Sequence, residues 1–227
     1  NAGIKTVTVT DANACTITAS ITITQPAAAL STGTTVSNVL CFGGSTGAAT
    51  VTPAGGTSPY TYLWSTAATT SVISALNIGV RTVTVTDVNA CTTTNTITIT
   101  EPTALTSGTA VTNVLCFGNS TGAATVTASG GTTPYSYLWS TAATTSVISS
   151  LNAGARTVTV TDANACTTTN SVSITQPAAG LSTSTTGVNV LCFGNSTGAA
   201  TVTVAGGTSP YTYLWSTAAT TSVISGL

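Results

Sequence analysis

The acidic residues of this chain are few, and three of the four recur in one pattern. Asp11, Asp87 and Asp162 each begin the pattern Asp-x-Asn-Ala-Cys. Calcium takes hard oxygen ligands, which an aspartate, a nearby asparagine and turn carbonyls can supply. The pattern therefore indicates a candidate calcium site in each copy, with Asp11, Asn13, Asp87, Asn89, Asp162 and Asn164 as ligands. The alternative needs no metal, because the same residues form Asx turns at hairpin tips.

The cysteines form a second regular set, two in each repeat. They stand at Cys15, Cys41, Cys91, Cys116, Cys166 and Cys192. No C-x-x-C occurs and histidine is absent, so zinc and iron–sulfur sites lack ligands. Their even number and regular spacing predict disulfides and an oxidising, extracellular setting, with buried free thiols as the alternative.

Two disulfide patterns fit the cysteine spacing. The bonds join either Cys41 to Cys91 and Cys116 to Cys166 within repeats, or Cys15 to Cys41 and Cys91 to Cys116 across junctions. A repeat of about 75 residues has a small core and gains from an internal cross-link. We therefore expect the bonds within repeats, with the partners of Cys15 and of Cys192 lying in adjoining repeat segments.

The composition argues against an enzyme and against several kinds of partner. Only 3% of the 227 residues are charged, the net charge is -1, and histidine, the usual general base, is absent. A glycosidase needs two carboxylates within about 10 Å of each other, whereas these recur one per repeat. The charge leaves no footprint for nucleic acid, and no apolar run is long enough for a membrane span. We expect no catalytic residue and no required cofactor.

The Asp-x-Asn pattern lies between two segments in which β-branched residues alternate with polar ones. In Arg81–Pro102, Val83 and Val85 precede the turn, and Ile97 and Ile99 follow it. This period of two predicts an antiparallel hairpin with one buried face. The same hairpin recurs at Lys5–Pro26 and Arg156–Pro177.

The remaining segments predict more short strands. Between an extended lead-in at Ala27–Leu40 and the hairpin, we expect strands at Ala48–Pro53, Tyr60–Trp64 and Ser71–Ala75. Six or seven short strands with turns every 8–12 residues are typical of a small antiparallel β-sandwich. The chain is thus all-β and built of tandem repeats, whose tryptophans are spaced by 75 and 76 residues.

The repeats divide the chain into four segments. Residues 27–102 and 103–177 are complete repeats, 1–26 is a closing hairpin alone, and 178–227 is a repeat that lacks its last hairpin. Two interpretations remain open. The sequence is a window on a longer chain, or each incomplete repeat is completed by the opening hairpin of another copy. We favour the window.

Tyr60, Tyr62 and Trp64 share one face of their strand, which predicts core packing. If these rings were exposed, they would instead form a platform for stacking sugars. Sequons at Asn119 and Asn195 are candidate glycosylation sites, and the threonine-rich strand faces are candidate carriers of O-glycans.

Taken together, these residues resemble the SprB-type repeat of very large Bacteroidetes cell-surface adhesins. The resemblance covers the whole chain and rests on the Gly55-Gly56 turn, Pro59-Tyr60, Trp64-Ser65, the two cysteines and Glu101-Pro102. It implies an immunoglobulin-like or PKD-like sandwich and export to the bacterial cell surface. We expect a structural or adhesive rod or filament serving attachment, biofilm or gliding. Its expected partners are copies of itself or further repeats end to end, and surface glycans. The alternative is a carbohydrate-binding or spacer module of a secreted enzyme.

Overall fold

The computed structural model describes residues 1–227, and all of its regular secondary structure is β-strand. No helix is present that could cross a membrane. The chain divides into two compact units, Asn1–Ala104 and Leu105–Leu227.

The first unit contains eight strands. They are β1 (Gly3–Thr10), β2 (Thr16–Ile23), β3 (Ser31–Ser37), β4 (Gly47–Ala54), β5 (Thr61–Trp64), β6 (Val72–Leu76), β7 (Gly79–Thr86) and β8 (Thr92–Ile99). Strands β1 and β2 form a separate two-stranded hairpin. The other six form two antiparallel sheets in the orders β3-β4-β6 and β5-β7-β8. The strands predicted from the alternating pattern are confirmed to within a few residues.

The second unit repeats this arrangement once in full and once in part. Its strands are β9 (Thr106–Thr112), β10 (Gly122–Ser129), β11 (Ser136–Trp139), β12 (Val147–Leu151), β13 (Gly154–Thr161), β14 (Thr167–Ile174), β15 (Ser182–Val188), β16 (Ala199–Ala205) and β17 (Val223–Ser225). The sheets β12-β10-β9 and β11-β13-β14 correspond to the two sheets of the first repeat. Strands β15-β16-β17 form one sheet only.

The core of each complete repeat lies between its two sheets. In residues 27–102, Val51 and Ile73 come from one sheet and Trp64, Val83 and Val85 from the other, and all five are buried. The equivalent residues of the second repeat form an equivalent core. Because the inward residues of each strand alternate with polar ones, period-two patterning accounts for both faces.

The outward strand positions carry hydroxyls in place of charges. On the β1–β2 hairpin, the hydroxyls of Thr6 and Ser20 lie 3.0 Å apart, within hydrogen-bond distance. Those of Thr8 and Thr18 lie 3.3 Å apart. Such cross-strand hydroxyl pairs stabilise a sheet without any ion pair.

The chain enters and leaves a complete repeat at opposite poles. At the upstream pole, the Gly56 amide donates to the Ala28 carbonyl (3.0 Å), close to the tip of the β7–β8 hairpin. At the downstream pole, the Val39 amide donates to the Thr100 carbonyl (3.0 Å), just beyond β8. The eight residues of β8 separate the two poles, which places them about 26 Å apart at ~3.3 Å per residue.

Candidate functional site

The tip of the β7–β8 hairpin is held by one buried carboxylate. Asp87 Oδ1 accepts hydrogen bonds from the backbone amides of Asn89 and Cys91, both at 2.9 Å. Its Oδ2 accepts one from the Thr57 amide at 3.0 Å, which ties the hairpin to the Gly55-Gly56 turn. Asp162 has the same arrangement in the second complete repeat. These bonds make the predicted Asx turn.

The pKa of Asp87 lies below its ordinary value of 3.8. Burial is the largest single influence and raises the pKa. Hydrogen bonds from the amides of Cys91, Thr57 and Asn89 lower the pKa, and their combined effect exceeds that of burial. The pKa of Asp162 is lowered for the same reasons. The carboxylate is therefore held ionised by backbone dipoles, with no cation beside it.

The predicted calcium ligands lie apart from one another, one Asp-x-Asn pair at each hairpin tip. Nowhere in residues 1–227 do three or more His, Cys, Asp or Glu residues come close enough to hold a metal. The side chain of Asn89 donates from Nδ2 to Thr57 Oγ1 (3.0 Å). Both Asp87 oxygens are engaged by amides. The geometry agrees with the Asx-turn alternative, and calcium binding stays a prediction.

The predicted disulfides within repeats do not form. Cys91 and Cys116 are free thiols, whereas Cys41 and Cys166 are disulfide-bonded. The poles give the reason. Cys91 directly precedes β8 at the upstream pole, and Cys41 lies in the loop fixed to Thr100 at the downstream pole. A disulfide requires Cα atoms within about 7 Å, so the length of β8 rules out this pairing.

The alternative pairing across junctions also fails. It requires Cys15 to bond Cys41 and Cys91 to bond Cys116, but Cys15, Cys91 and Cys116 are all free and exposed. In each complete repeat, one cysteine therefore lies in a downstream loop and the other beside an upstream hairpin tip. By their place in the repeat, we call Cys41, Cys116 and Cys192 the loop cysteines, and Cys15, Cys91 and Cys166 the hairpin cysteines.

The loops of Cys41 and Cys116 are each fixed by a residue whose role was not predicted from the sequence. Glu101 Oε2 accepts the Gly43 amide (2.7 Å), and Gln176 Oε1 accepts the Gly118 amide (3.0 Å). Both residues directly precede the proline that begins the linker to the next segment. The available signal was a Glu or Gln before that proline in each copy.

The three aromatic residues predicted to share one strand face, Tyr60, Tyr62 and Trp64, belong to the core. Trp64 is 2% exposed, and its Nε1 donates to the Thr70 carbonyl at 2.9 Å. Tyr60 is half-buried and donates its hydroxyl to the Gly55 carbonyl at 2.6 Å. Tyr62 also packs against the core. These three rings therefore form no exposed platform for a sugar.

The sequon asparagines Asn119 and Asn195 are both exposed. The backbone amide of each asparagine donates a hydrogen bond to the carbonyl of the loop cysteine before it, Cys116 or Cys192. Glycosylation of these residues stays a prediction.

The sheet orders define the class of protein. β3-β4-β6 and β5-β7-β8 match the A-B-E and C-F-G sheets of an immunoglobulin-like sandwich without its D strand. The chain is thus a tandem array of immunoglobulin-like repeats. More particularly, the SprB repeat family matches it at residues 33–69, 108–144 and 184–220, so the chain carries three SprB repeats. The resemblance found in the sequence is confirmed, and the chain is an adhesin-like repeat protein.

Two solved structures are similar to this chain at low sequence identity. An amphioxus IgVJ-C2 molecule is 14% identical, with a TM-score of 0.29 over 63% of this chain and 96% of that one. A tetra-tandem repeat from the extending region of a large adhesion protein is 16% identical, with a TM-score of 0.24 over 99% of this chain and 70% of that one. No curated protein matches the sequence.

Proposed function

We propose that this chain is a structural and adhesive extender on a bacterial surface, in which repeats follow one another in series as an extended rod or filament. The observation that carries the proposal is the separation of the poles: the chain enters a repeat beside Ala28 and leaves it beyond Thr100. A module with its termini at opposite poles lengthens a chain with each copy added. Each repeat contributes about 35 Å, from one strand length plus a short linker.

The few chemical groups of the repeat support this role. Its buried carboxylate holds a turn and its rings fill a core. The proposed partners are further repeats or copies of the same chain end to end, and glycans on the surfaces to which the cell attaches. Attachment, biofilm formation and gliding are the processes that such an extender serves.

The alternative, a carbohydrate-binding module of a secreted enzyme, depends on exposed rings. Tyr60, the ring expected to stack on a sugar, is half-buried and its hydroxyl is bonded to the Gly55 carbonyl. Trp64 of the same strand is buried in the core, and its indole N–H is bonded to the backbone. The structure therefore favours the extender.

Electron microscopy of negatively stained protein tests the proposal. Chains of two, four and eight complete repeats are expected to appear as thin particles whose length rises in proportion to repeat number, by about 35 Å per repeat. A matched control carries the same repeats joined by a flexible linker of about 20 glycine and serine residues, which should give beads at variable spacing. Compact particles whose length does not grow would refute the proposal.

Antibody labelling of unpermeabilised cells tests the location. Labelling of intact cells is expected, and it should be lost after brief treatment with an external protease. Signal that appears only after permeabilisation contradicts a surface role.

A further inference from the structure

The loop that contains Cys116 lies against the repeat that follows it. A cavity of about 390 Å³ is lined by residues from both sides of this junction, which include Cys116, Phe117, Leu181, Gly207 and Thr208. A Cβ placed on Gly180 would lie 3.7 Å from Cδ1 of Phe117, so this ring lies against the linker to the following repeat. Both sides belong to one compact unit, Leu105–Leu227. A loop cysteine is therefore placed beside the Gly-Gly turn of the next repeat.

The same turn holds the hairpin cysteine in a complete repeat. Asp162 Oδ2 accepts the amide of Thr132 at 2.9 Å, and its Oδ1 accepts the amide of Cys166 at 2.9 Å. Because one carboxylate binds both amides, Cys166 lies close to the Gly130-Gly131 turn that precedes Thr132. The first complete repeat has the same arrangement.

The hairpin cysteine lies on the side of its repeat that faces the linker. In the first unit, Cys91 and Gly56 line a cavity of about 430 Å³ together with Gln25-Pro26, where the linker begins. Gly56 corresponds to Gly207, which lines the cavity that contains Cys116. The loop cysteine of one repeat and the hairpin cysteine of the next are therefore directed to the same place beside the turn.

We propose that Cys41 and Cys166 are bonded to each other, so that a disulfide joins the loop of one complete repeat to the hairpin tip of the next. Cys41 has in the first complete repeat the place that Cys116 has in the second. Cys166 lies at the turn that corresponds to the one beside Cys116. Both Cys41 and Cys166 are disulfide-bonded. The geometry of the repeats thus assigns the partner of each.

The linker between the two complete repeats is short enough for this bond. Three residues separate Glu101 from Leu105, whereas four separate Gln176 from Leu181 at the junction that brings a loop cysteine to its turn. A shorter linker cannot let the two poles that it connects move farther apart. The loop of Cys41 is fixed to Glu101, at the start of this linker.

This pairing differs from the junction pairing that the cysteine spacing suggested. The bond between Cys91 and Cys116 would join a hairpin cysteine to the loop cysteine of the next repeat. Those two cysteines mark the upstream pole of the first repeat and the downstream pole of the second, which the linker does not connect. The bond between Cys41 and Cys166 instead joins the two poles that the linker does connect.

The bond has a mechanical consequence. It forms when two thiols lose two protons and two electrons to a disulfide oxidant such as oxidised glutathione, which is reduced to two thiols. It closes a covalent loop over residues 42–165, which contain strands β4 to β13. A pulling force then passes directly from Cys41 to Cys166, so these strands bear none of it once the chain is taut. This role does not depend on where the cell carries the chain.

Two variants of the full chain that keep two cysteines each test the bond. C15S/C91S/C116S/C192S keeps Cys41 and Cys166. The matched control C15S/C116S/C166S/C192S keeps Cys41 and Cys91, which lie at opposite poles of one repeat. Each is incubated with oxidised glutathione at low protein concentration, and its monomer is digested with trypsin, which cleaves only at three sites, after Lys5, Arg81 and Arg156.

Without reduction, the first variant is expected to yield peptides 6–81 and 157–227 joined by a disulfide in most molecules. The control is expected to yield peptides 6–81 and 82–156 unjoined. Equal joining in the two variants shows random oxidation and overturns the proposal. So does the absence of the joined peptides from the first variant.

Stretching single molecules from their ends tests the mechanical consequence. Reduction of the first variant is expected to lengthen the fully unfolded chain by about 450 Å, because residues 42–165 then extend at ~3.6 Å per residue. The control should have the same unfolded length before and after reduction. An unchanged length in the first variant overturns the proposal.

Discussion

Replacing Val83 by alanine tests whether the hairpin forms half of the core. The substitution removes two carbons from a side chain that is 0% exposed. At ~0.8 kcal/mol per buried carbon the transfer loss is about 1.6 kcal/mol, and the residual cavity adds about 1 kcal/mol. We therefore expect the free energy of unfolding to fall by about 2.5 kcal/mol. Val80→Ala is the matched control, because it makes the same change in the same strand at a residue that is 60% exposed.

Hydrogen exchange followed by mass spectrometry measures the effect in one repeat at a time. Amides of β8 that exchange only on unfolding should exchange about 60-fold faster in Val83→Ala, since 1.4 kcal/mol corresponds to a factor of ten. In Val80→Ala they should change by no more than about threefold. The amides of the second complete repeat serve as an internal reference. Equal acceleration in the two variants would refute the assignment of Val83 to the core.

Three further predictions concern the turns. Gly55→Ala should destabilise the first complete repeat far more than Gly43→Ala: both glycines have positive φ, but a Cβ at Gly55 would overlap the Ala29 carbonyl whereas one at Gly43 meets nothing within 4 Å. In thermal melts, the free energy of unfolding should fall by about 1 kcal/mol for Gly43→Ala and by several kcal/mol more for Gly55→Ala. The pKa of Asp87 in the folded chain lies below 3.8, so its ionised carboxylate contributes to stability above that pH. This contribution is lost as the pH falls through the lowered pKa. The melting temperature should therefore drop in acid, and it should drop less in Asp87→Asn. EDTA should leave the melting temperature at pH 7 unchanged, because amides engage both oxygens of that carboxylate; a clear drop would support calcium binding.

Local patterns were sufficient to predict most of the fold. Alternation around Val83 and Val85 specified a strand with one buried face, and the Asp-x-Asn break specified its turn. The three aromatic residues before Ser65 share one parity, which placed them on the core side. Each of these features is set by residues within a few positions of one another.

The disulfides could not be predicted in the same way. The loop that contains Cys41 is fixed by Glu101, which lies 58 positions from Gly43 in the sequence. Only this distant contact decides which pole the loop occupies, and spacing along the chain carries no information about it. A small core favours a cross-link within the repeat, but the strand length between the poles excludes one.

Asn95 shows a second limit of pattern reasoning. It occupies a position where the alternation of β8 calls for an apolar residue. Its amide instead donates across the sandwich to the Thr32 carbonyl, 63 positions away. The role of a polar residue on an inward face can be assigned only when its hydrogen-bond partner is known, and only the tertiary structure identifies that partner.

The hydroxyl pairs on the strand faces, such as Thr6 with Ser20, have a consequence for how the stability of the protein depends on salt concentration. Because only seven Asp, Glu, Lys and Arg side chains occur in 227 residues, dissolved salt has few charge–charge interactions to screen. Cohesion that depends on neutral dipoles and buried hydrocarbon changes little between fresh water and brine. We therefore expect the folded repeats to keep nearly the same stability at the salt content of rain water and of seawater.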